Sequence, residues 1–267
     1  MPVVRIEDTD LAYVEAGSGP VLLLVHGSLC DYRYWSAQFQ TFSRSHRVIA
    51  LSLRHYWPER WDGRGDDFTI ERHVRDVGGF IAALGGGPVD LCGHSRGGSV
   101  AFRVAQHFPD AVRRLILAEP GGPVETEENI GTPTPVSAVL PEVADRIARG
   151  DVDGGLALFV DAIGGTGAWA QAIEGFKGMA RDNARTLIAQ AREKRPPITL
   201  AEIGAIRAPT LLIGGARTAP PFPGTLSAFE AALAQVRRVK IPHAGHPMNV
   251  ENADAFNAAV LEFLAET

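Results

Sequence analysis

Short apolar runs without polar alternation recur along this chain, each followed by a stretch with helical spacing. Val21-Leu22-Leu23-Leu24-Val25 is the clearest, reading as a strand covered on both faces that stops abruptly at His26-Gly27. Further strands are expected at Arg47–Leu53, Val89–Gly93, Arg114–Ala118, Thr210–Ile213 and 237–241. Helices are expected at Tyr34–Phe42, Gly97–Phe108, 225–235 and the C-terminal stretch, where Phe256, Val260, Phe263 and Leu264 form one stripe. Ile70, Val74, Val77, Ile81 and Leu84 also keep helical spacing, with Thr69 placed as an N-cap and Gly85-Gly86-Gly87 as the stop. Upstream, 3–6 and 11–16 alternate around Glu7-Asp8-Thr9-Asp10 and predict an antiparallel hairpin.

Repeated strand–helix units predict an α/β fold, with a mostly parallel sheet covered on both sides. The alternation pauses over 120–205. Residues 120–135 are rich in Gly, Pro, Thr and Glu and read as a mobile loop. Helical pieces follow near 141–149, 154–163, 168–176 and 180–194. The expected organisation is a core of 1–119 and 206–267, with 120–205 inserted as a helical cap over one end of the sheet. Functional groups then belong at the carboxyl ends of the strands.

Composition narrows the function classes. The chain has 267 residues, 45% apolar and 21% charged, enough for one sizeable core. Twenty-six Lys and Arg against 31 Asp and Glu give a net charge of −5, with no basic block for a nucleic-acid partner. No apolar run approaches the ~20 residues of a membrane span, so no membrane partner is expected. The opening residues place acidic side chains where a secretory signal would be apolar, and a cytoplasmic location is the expectation. Cys30 and Cys92 alone make neither a disulfide framework nor a four-ligand zinc site. Asp62, Asp66 and Asp67 lie in a polar loop without histidine ligands and read as solvated. No metal or other cofactor is expected, and the oligomeric state, homodimer included, is not readable.

Gly93-His94-Ser95-Arg96-Gly97-Gly98 falls between an apolar strand and an amphipathic helix. A serine between glycines at such a turn has the nucleophile-elbow pattern, with a helix N-terminus favouring negative charge beside it. A serine hydroxyl needs a base. His246 follows the last strand, in Pro242-His243-Ala244-Gly245-His246-Pro247, where Gly245 lets the loop bend toward the nucleophile. His243 competes for the role, while His94, beside Ser95, reads as structural.

Leu-Leu-Val-His-Gly at 23–27, Gly-His-Ser-Arg-Gly-Gly at 93–98 and Ala-Gly-His at 244–246 together resemble the α/β-hydrolase fold superfamily. The resemblance runs over nearly the whole chain and is specific for the fold, not for a substrate. It implies an oxyanion hole from the backbone N–H groups of Arg96 and Ser28, with Leu29 the neighbouring choice for the second donor. It makes His26 a loop brace and Arg54 a structural arginine. One departure is informative. Most relatives carry an acid in a Gly-x-x-Asp stretch after the strand that follows the cap, where this chain has Gly214-Gly215-Ala216-Arg217-Thr218. No Asp or Glu occurs from Arg207 to Phe229. Glu119, at the end of the preceding strand, is the replacement. An acid on that strand is similar to haloalkane dehalogenases and to fungal zearalenone lactone hydrolases, and Ser95 favours the second comparison.

The expected function is a cofactor-independent serine hydrolase acting on a small carboxylic ester or lactone through Ser95, His246 and Glu119. Two other readings stay open: hydrolysis of a carbon–carbon bond in a β-diketone-like substrate, and a ligand-binding or signalling protein on a hydrolase scaffold. Dehalogenase and epoxide hydrolase activities are disfavoured, because those families need aspartate at position 95. For the pocket, Leu29, Trp169 and Phe176 are candidate substrate contacts, Trp169 and Phe176 being seven apart on one helical face. The aromatics that follow Leu53 either line an entrance or anchor a long loop.

Overall fold

The computed structural model describes residues 1–125 and 134–266. Its strands are β1 (Val3–Ile6), β2 (Thr9–Ala16), β3 (Val21–Val25), β4 (Arg47–Leu51), β5 (Val89–His94), β6 (Val112–Ala118), β7 (Thr210–Gly215) and β8 (Val236–Ile241). They form one eight-stranded sheet in the order β1-β2-β4-β3-β5-β6-β7-β8. β1 and β2 pair antiparallel, as do β2 and β4; from β4 to β8 every pairing is parallel. The hairpin therefore closes one edge of the expected parallel sheet.

Helices cover both faces. α1 (Ser36–Phe42) and the C-terminal pair α11 (Met248–Glu251) and α12 (Ala253–Ala265) lie on one side, with α2 (Ile70–Leu84), α3 (Arg96–His107) and α10 (Phe222–Ala232) on the other. Strand alternation supplies both layers. Leu23, Val25 and Leu91 enter the cluster with α2 and α3, while Leu22, Leu24 and Cys92 enter the one with α1 and α12. α2 has the expected ends: the Thr69 hydroxyl accepts the Arg72 N–H, and Gly85 takes a left-handed φ of 66°.

Between β6 and β7 stand α4 (Pro135–Ala148), α5 (Val152–Gly164), α6 (Ala168–Gln171), α7 (Glu174–Asn183), α8 (Thr186–Gln190) and α9 (Leu200–Gly204). Val143, Ile147, Leu156, Phe159, Ala180 and Leu187 make an apolar cluster of their own. Ile198 and Ile203 instead join the main core, so the end of this stretch packs with the sheet layer. α4 starts earlier than its apolar pattern indicates, because Thr134 caps it and it runs on through Pro141. The single helix expected over 180–194 is broken after Asn183. That side chain donates to Met179 O and to Asp31 and accepts the Trp57 N–H, while the Thr186 hydroxyl donates to Asn183 O. Side chains bonded in this way compete with the helical ladder. Of the loop expected over 120–135, residues 126–133 lie outside the described residues. No helix among the described residues is long and apolar enough to cross a membrane.

Candidate active site

Ser95 sits between β5 and α3 with φ 52° and ψ −119°, a conformation that costs a non-glycine residue strain. Backbone bonds on three sides hold it there. Its N–H donates to Ala118 O at 3.0 Å, and its carbonyl accepts from Ser99 N at 3.2 Å and Gly121 N at 2.9 Å. The flanking glycines are steric necessities: a Cβ on Gly93 would overlap the Gly97 carbonyl, and one on Gly97 the carbonyls of Val25 and His26. A Cβ on Gly27 would lie 3.0 Å from Ser95 Cβ, so glycine there lets the loop after β3 run against the nucleophile.

Glu119 follows β6 with φ 43°, and its side chain is 1% exposed. Its Oε2 lies 2.6 Å from His246 Nδ1, and its Oε1 accepts the Gly215 N–H at 2.8 Å. β6 lies between β5 and β7, which is why a residue at its end reaches both the serine turn and the loops beyond β7 and β8. A Cβ on Gly214 would come within 3.3 Å of Glu119 Oε1, and one on Gly215 would overlap the carbonyls of Ala244 and Gly245, so the first glycine leaves space for the carboxylate and the second for the histidine loop. Thr218, where most relatives carry aspartate, closes a turn through its N–H to Gly215 O at 3.3 Å.

With Nδ1 donating to Glu119, His246 presents Nε2 as a lone-pair acceptor. That nitrogen is buried and has no partner among the described residues. Phe222 stacks on the ring at 4.1 Å, and His94 lies 4.6 Å away on another side. His94 Nε2–H donates to the His246 carbonyl at 2.9 Å and so braces the histidine loop. Burial pushes the His246 pKa well down and the Glu119 pKa up, since neither charge is welcome away from water. The imidazole is therefore neutral at rest, the state a general base needs.

The remaining residues separate clearly. His243 is exposed, at φ 57°. His26 is fully buried; Nδ1–H donates to Gly27 O at 2.8 Å and Nε2 accepts the Leu53 N–H at 3.0 Å, bracing its loop. Arg54 makes two bonds to buried Asp76, at 2.8 and 3.0 Å. After Leu53 the aromatics anchor the loop: Tyr56 packs edge-on against His26 and Trp61 stacks on His55 at 4.0 Å.

A cavity of about 310 Å³ opens over Ser95, with Ser28, Pro120, Leu140, Phe159 and Phe222 among its walls. The Ser28 hydroxyl donates to Gln190 Oε1 at 2.8 Å, tying the loop after β3 to α8. Leu29, Trp169 and Phe176, the candidate substrate contacts, are not among the residues that line this cavity. Leu29 is 1% exposed inside the apolar cluster of the insertion, and the Trp169 and Phe176 rings meet edge-on at 6.5 Å within that same cluster. The single helix expected over 168–176 is broken by extended backbone at Ala172 and Ile173, so Trp169 on α6 and Phe176 on α7 share no helical face and meet through the packing of two helices. Sequence reasoning missed Phe222, Glu193 and Arg195. The helical piece expected over 180–194 hides the last two: α8 stops at Gln190, and both residues line the cavity.

Parallel strands flanked by helices, with a strained serine at the carboxyl edge, define a hydrolase of the α/β class. The chain belongs to the alpha/beta hydrolase family, whose profile it matches over residues 22–259. Among solved structures, an esterase from Thermogutta terrifontis is 25% identical with a TM-score of 0.77, covering 99% of this chain and 98% of that one. A hydrolase from Pseudomonas aeruginosa (23% identity, TM-score 0.78, 99% and 98% coverage) shares the fold. So does an enol-lactonase from Burkholderia xenovorans (22%, 0.70, 99% and 100%). Epoxide hydrolase 4 of Mus musculus is 31% identical over 118 residues, 43% of this chain and 33% of that protein. Epoxide hydrolase 2 of Caenorhabditis elegans is 32% identical over 116 residues, with the same shares. The match thus spans about a third of the length of these curated relatives.

Proposed function

We propose that the protein is a cofactor-independent serine hydrolase that cleaves a carboxylic ester or lactone through Ser95, His246 and Glu119. The observation that carries this reading is the 2.6 Å bond from His246 Nδ1 to buried Glu119, which leaves Nε2 free to take a proton. Ser95 Oγ attacks the carbonyl as its proton passes to His246 Nε2. Glu119 stabilises the resulting imidazolium and keeps the ring in the productive tautomer. The N–H groups of Arg96 and Ser28 hold the oxyanion, and losing one such donor costs on the order of a hundred- to thousandfold in rate. His246 then protonates the leaving alkoxide. A water deprotonated by His246 attacks the acyl-serine, and the second collapse releases the acid and restores Ser95. In a lactone the leaving alcohol stays attached to the acyl group. The helical insertion serves as a cap that shapes the pocket and limits water during acylation. A cytoplasmic setting belongs to this reading, supported by two buried free thiols, Cys30 and Cys92.

The likeness to epoxide hydrolases supports hydrolysis, but not of an epoxide. Serine attack on an epoxide carbon would leave an ether, with no carbonyl through which water could release it. A carboxylate nucleophile would leave a hydrolysable ester, and position 95 holds serine.

The test is hydrolysis of aryl esters, small lactones and a resorcylic macrolactone by wild type and Ser95→Ala. Turnover of at least one member is expected to vanish in the variant. Equal turnover by both proteins, or none on any member, would overturn the reading.

A further inference from the structure

One carboxylate on the cavity wall is shared by two arginines. Glu193 Oε2 accepts from Arg96 Nη1 at 2.6 Å and from Arg195 Nε at 2.7 Å, while Oε1 accepts from Arg96 Nη2 at 2.9 Å. Arg96 and Glu193 are each 1% exposed and Arg195 is 20% exposed. All three line the cavity that holds Ser95, and among the described residues of its wall they leave a surplus positive charge. A surplus charge drawn this far from water is costly unless an anion meets it.

Arg96 is not the free partner. Its guanidinium is locked by both oxygens of Glu193, by His73 Nδ1 at 3.3 Å and by the Phe68 ring 4.3 Å below it. Each arginine leaves one buried nitrogen without a partner among the described residues, Nε of Arg96 and Nη2 of Arg195; Arg195 differs in being 20% exposed and in giving Glu193 only its Nε, so its two Nη groups remain uncommitted. Among the described residues, Glu193 is the one acidic side chain that lines the cavity. Arg195 also borders a small adjoining recess with Glu71 and Arg103; Arg103 is engaged by Glu202, and Glu71 is solvent-exposed.

We propose that the substrate carries a carboxylate besides its scissile ester or lactone bond, and that Arg195 receives that carboxylate. The inference rests on the hydrolase reading above and adds the substrate class. A guanidinium edge suits a planar carboxylate better than a point charge does, and the water-poor wall strengthens the pairing.

The test compares the 4-nitrophenyl monoester of glutaric acid with 4-nitrophenyl pentanoate, acyl chains of equal length with and without a terminal carboxylate. Wild type is expected to prefer the charged ester by about tenfold or more in kcat/KM. In Arg195→Gln the ratio falls toward one, whatever happens to the absolute rates, and Arg195→Lys keeps part of the preference. No preference in wild type, or an undiminished one in Arg195→Gln, overturns the proposal. If neither ester shows Ser95-dependent turnover, the ester and lactone panel alone decides the hydrolase reading, and glutarate binding decides the inference. A rise in Tm with glutarate that is lost in Arg195→Gln then upholds carboxylate recognition, and equal Tm values overturn it.

Discussion

The sheet core and the helical insertion meet at one cavity, yet they are built differently. In the core the reacting groups are fixed by backbone. Ser95 is held through Ala118, Ser99 and Gly121, and Glu119 through its N–H to Ile213 O at 3.0 Å. The insertion is tied to the core by its side chains: Gln190 to Ser28, Glu193 to Arg96, and Asn183 to the Asp31 carboxylate and the Trp57 N–H. Backbone bonds hold the chemistry because the parallel sheet needs them anyway. Side-chain bonds can be rewritten residue by residue, which suits the wall that selects a substrate.

The sharpest way to break this comparison is one substitution made on each side. Leu212 and Leu156 are both fully buried, the first in the sheet core and the second in the insertion's own cluster. Leu212→Ala is expected to cost about 2–5 kcal/mol of global stability, read by denaturant unfolding. Leu156→Ala should act locally, raising KM and speeding amide exchange in α4 and α5 with a smaller shift of the main transition. Equal global losses would mean that core and insertion unfold as one unit.

A smaller effect comes from histidines around the core site. Burial lowers the pKa of His26 to about 4 and of His94 to about 3, against an unfolded value near 6.5. The unfolded chain therefore binds more protons as pH falls below about 6.5, and stability drops until the folded values are reached. Tm should decline on acidification from pH 7 to 5, and His94→Gln should flatten that decline. A Tm that is level over this range would contradict the assignment of neutral buried rings.

The contrast also explains what could be read from sequence. Ser95 was legible because an apolar strand, two glycines and an amphipathic helix leave one way to place it. The meeting of Glu119 with His246 was legible because the stretch from Arg207 to Phe229 has no carboxylate, and strand order brings the end of β6 beside β7. The insertion resisted. Its helices break where Asn183 and Thr186 bond to backbone, a choice decided by Asp31 and Trp57 far away in sequence. Trp169 and Phe176 lie on α6 and α7 with extended backbone between, so their contact comes from how α5, α6 and α7 pack and not from a shared helical face. Phe222 had no sequence signal at all; it reaches His246 only because α10 begins beside the loop after β8.

The central claim is that Glu119 replaces the acid most relatives carry after β7. Its direct test is kcat/KM of Glu119→Gln across pH, on whichever ester or lactone wild type prefers. A loss of roughly ten-thousandfold is expected. The acidic limb should also move to lower pH, because an imidazolium without its carboxylate is easier to deprotonate. Near wild-type activity with an unmoved limb would contradict it and place the acid elsewhere.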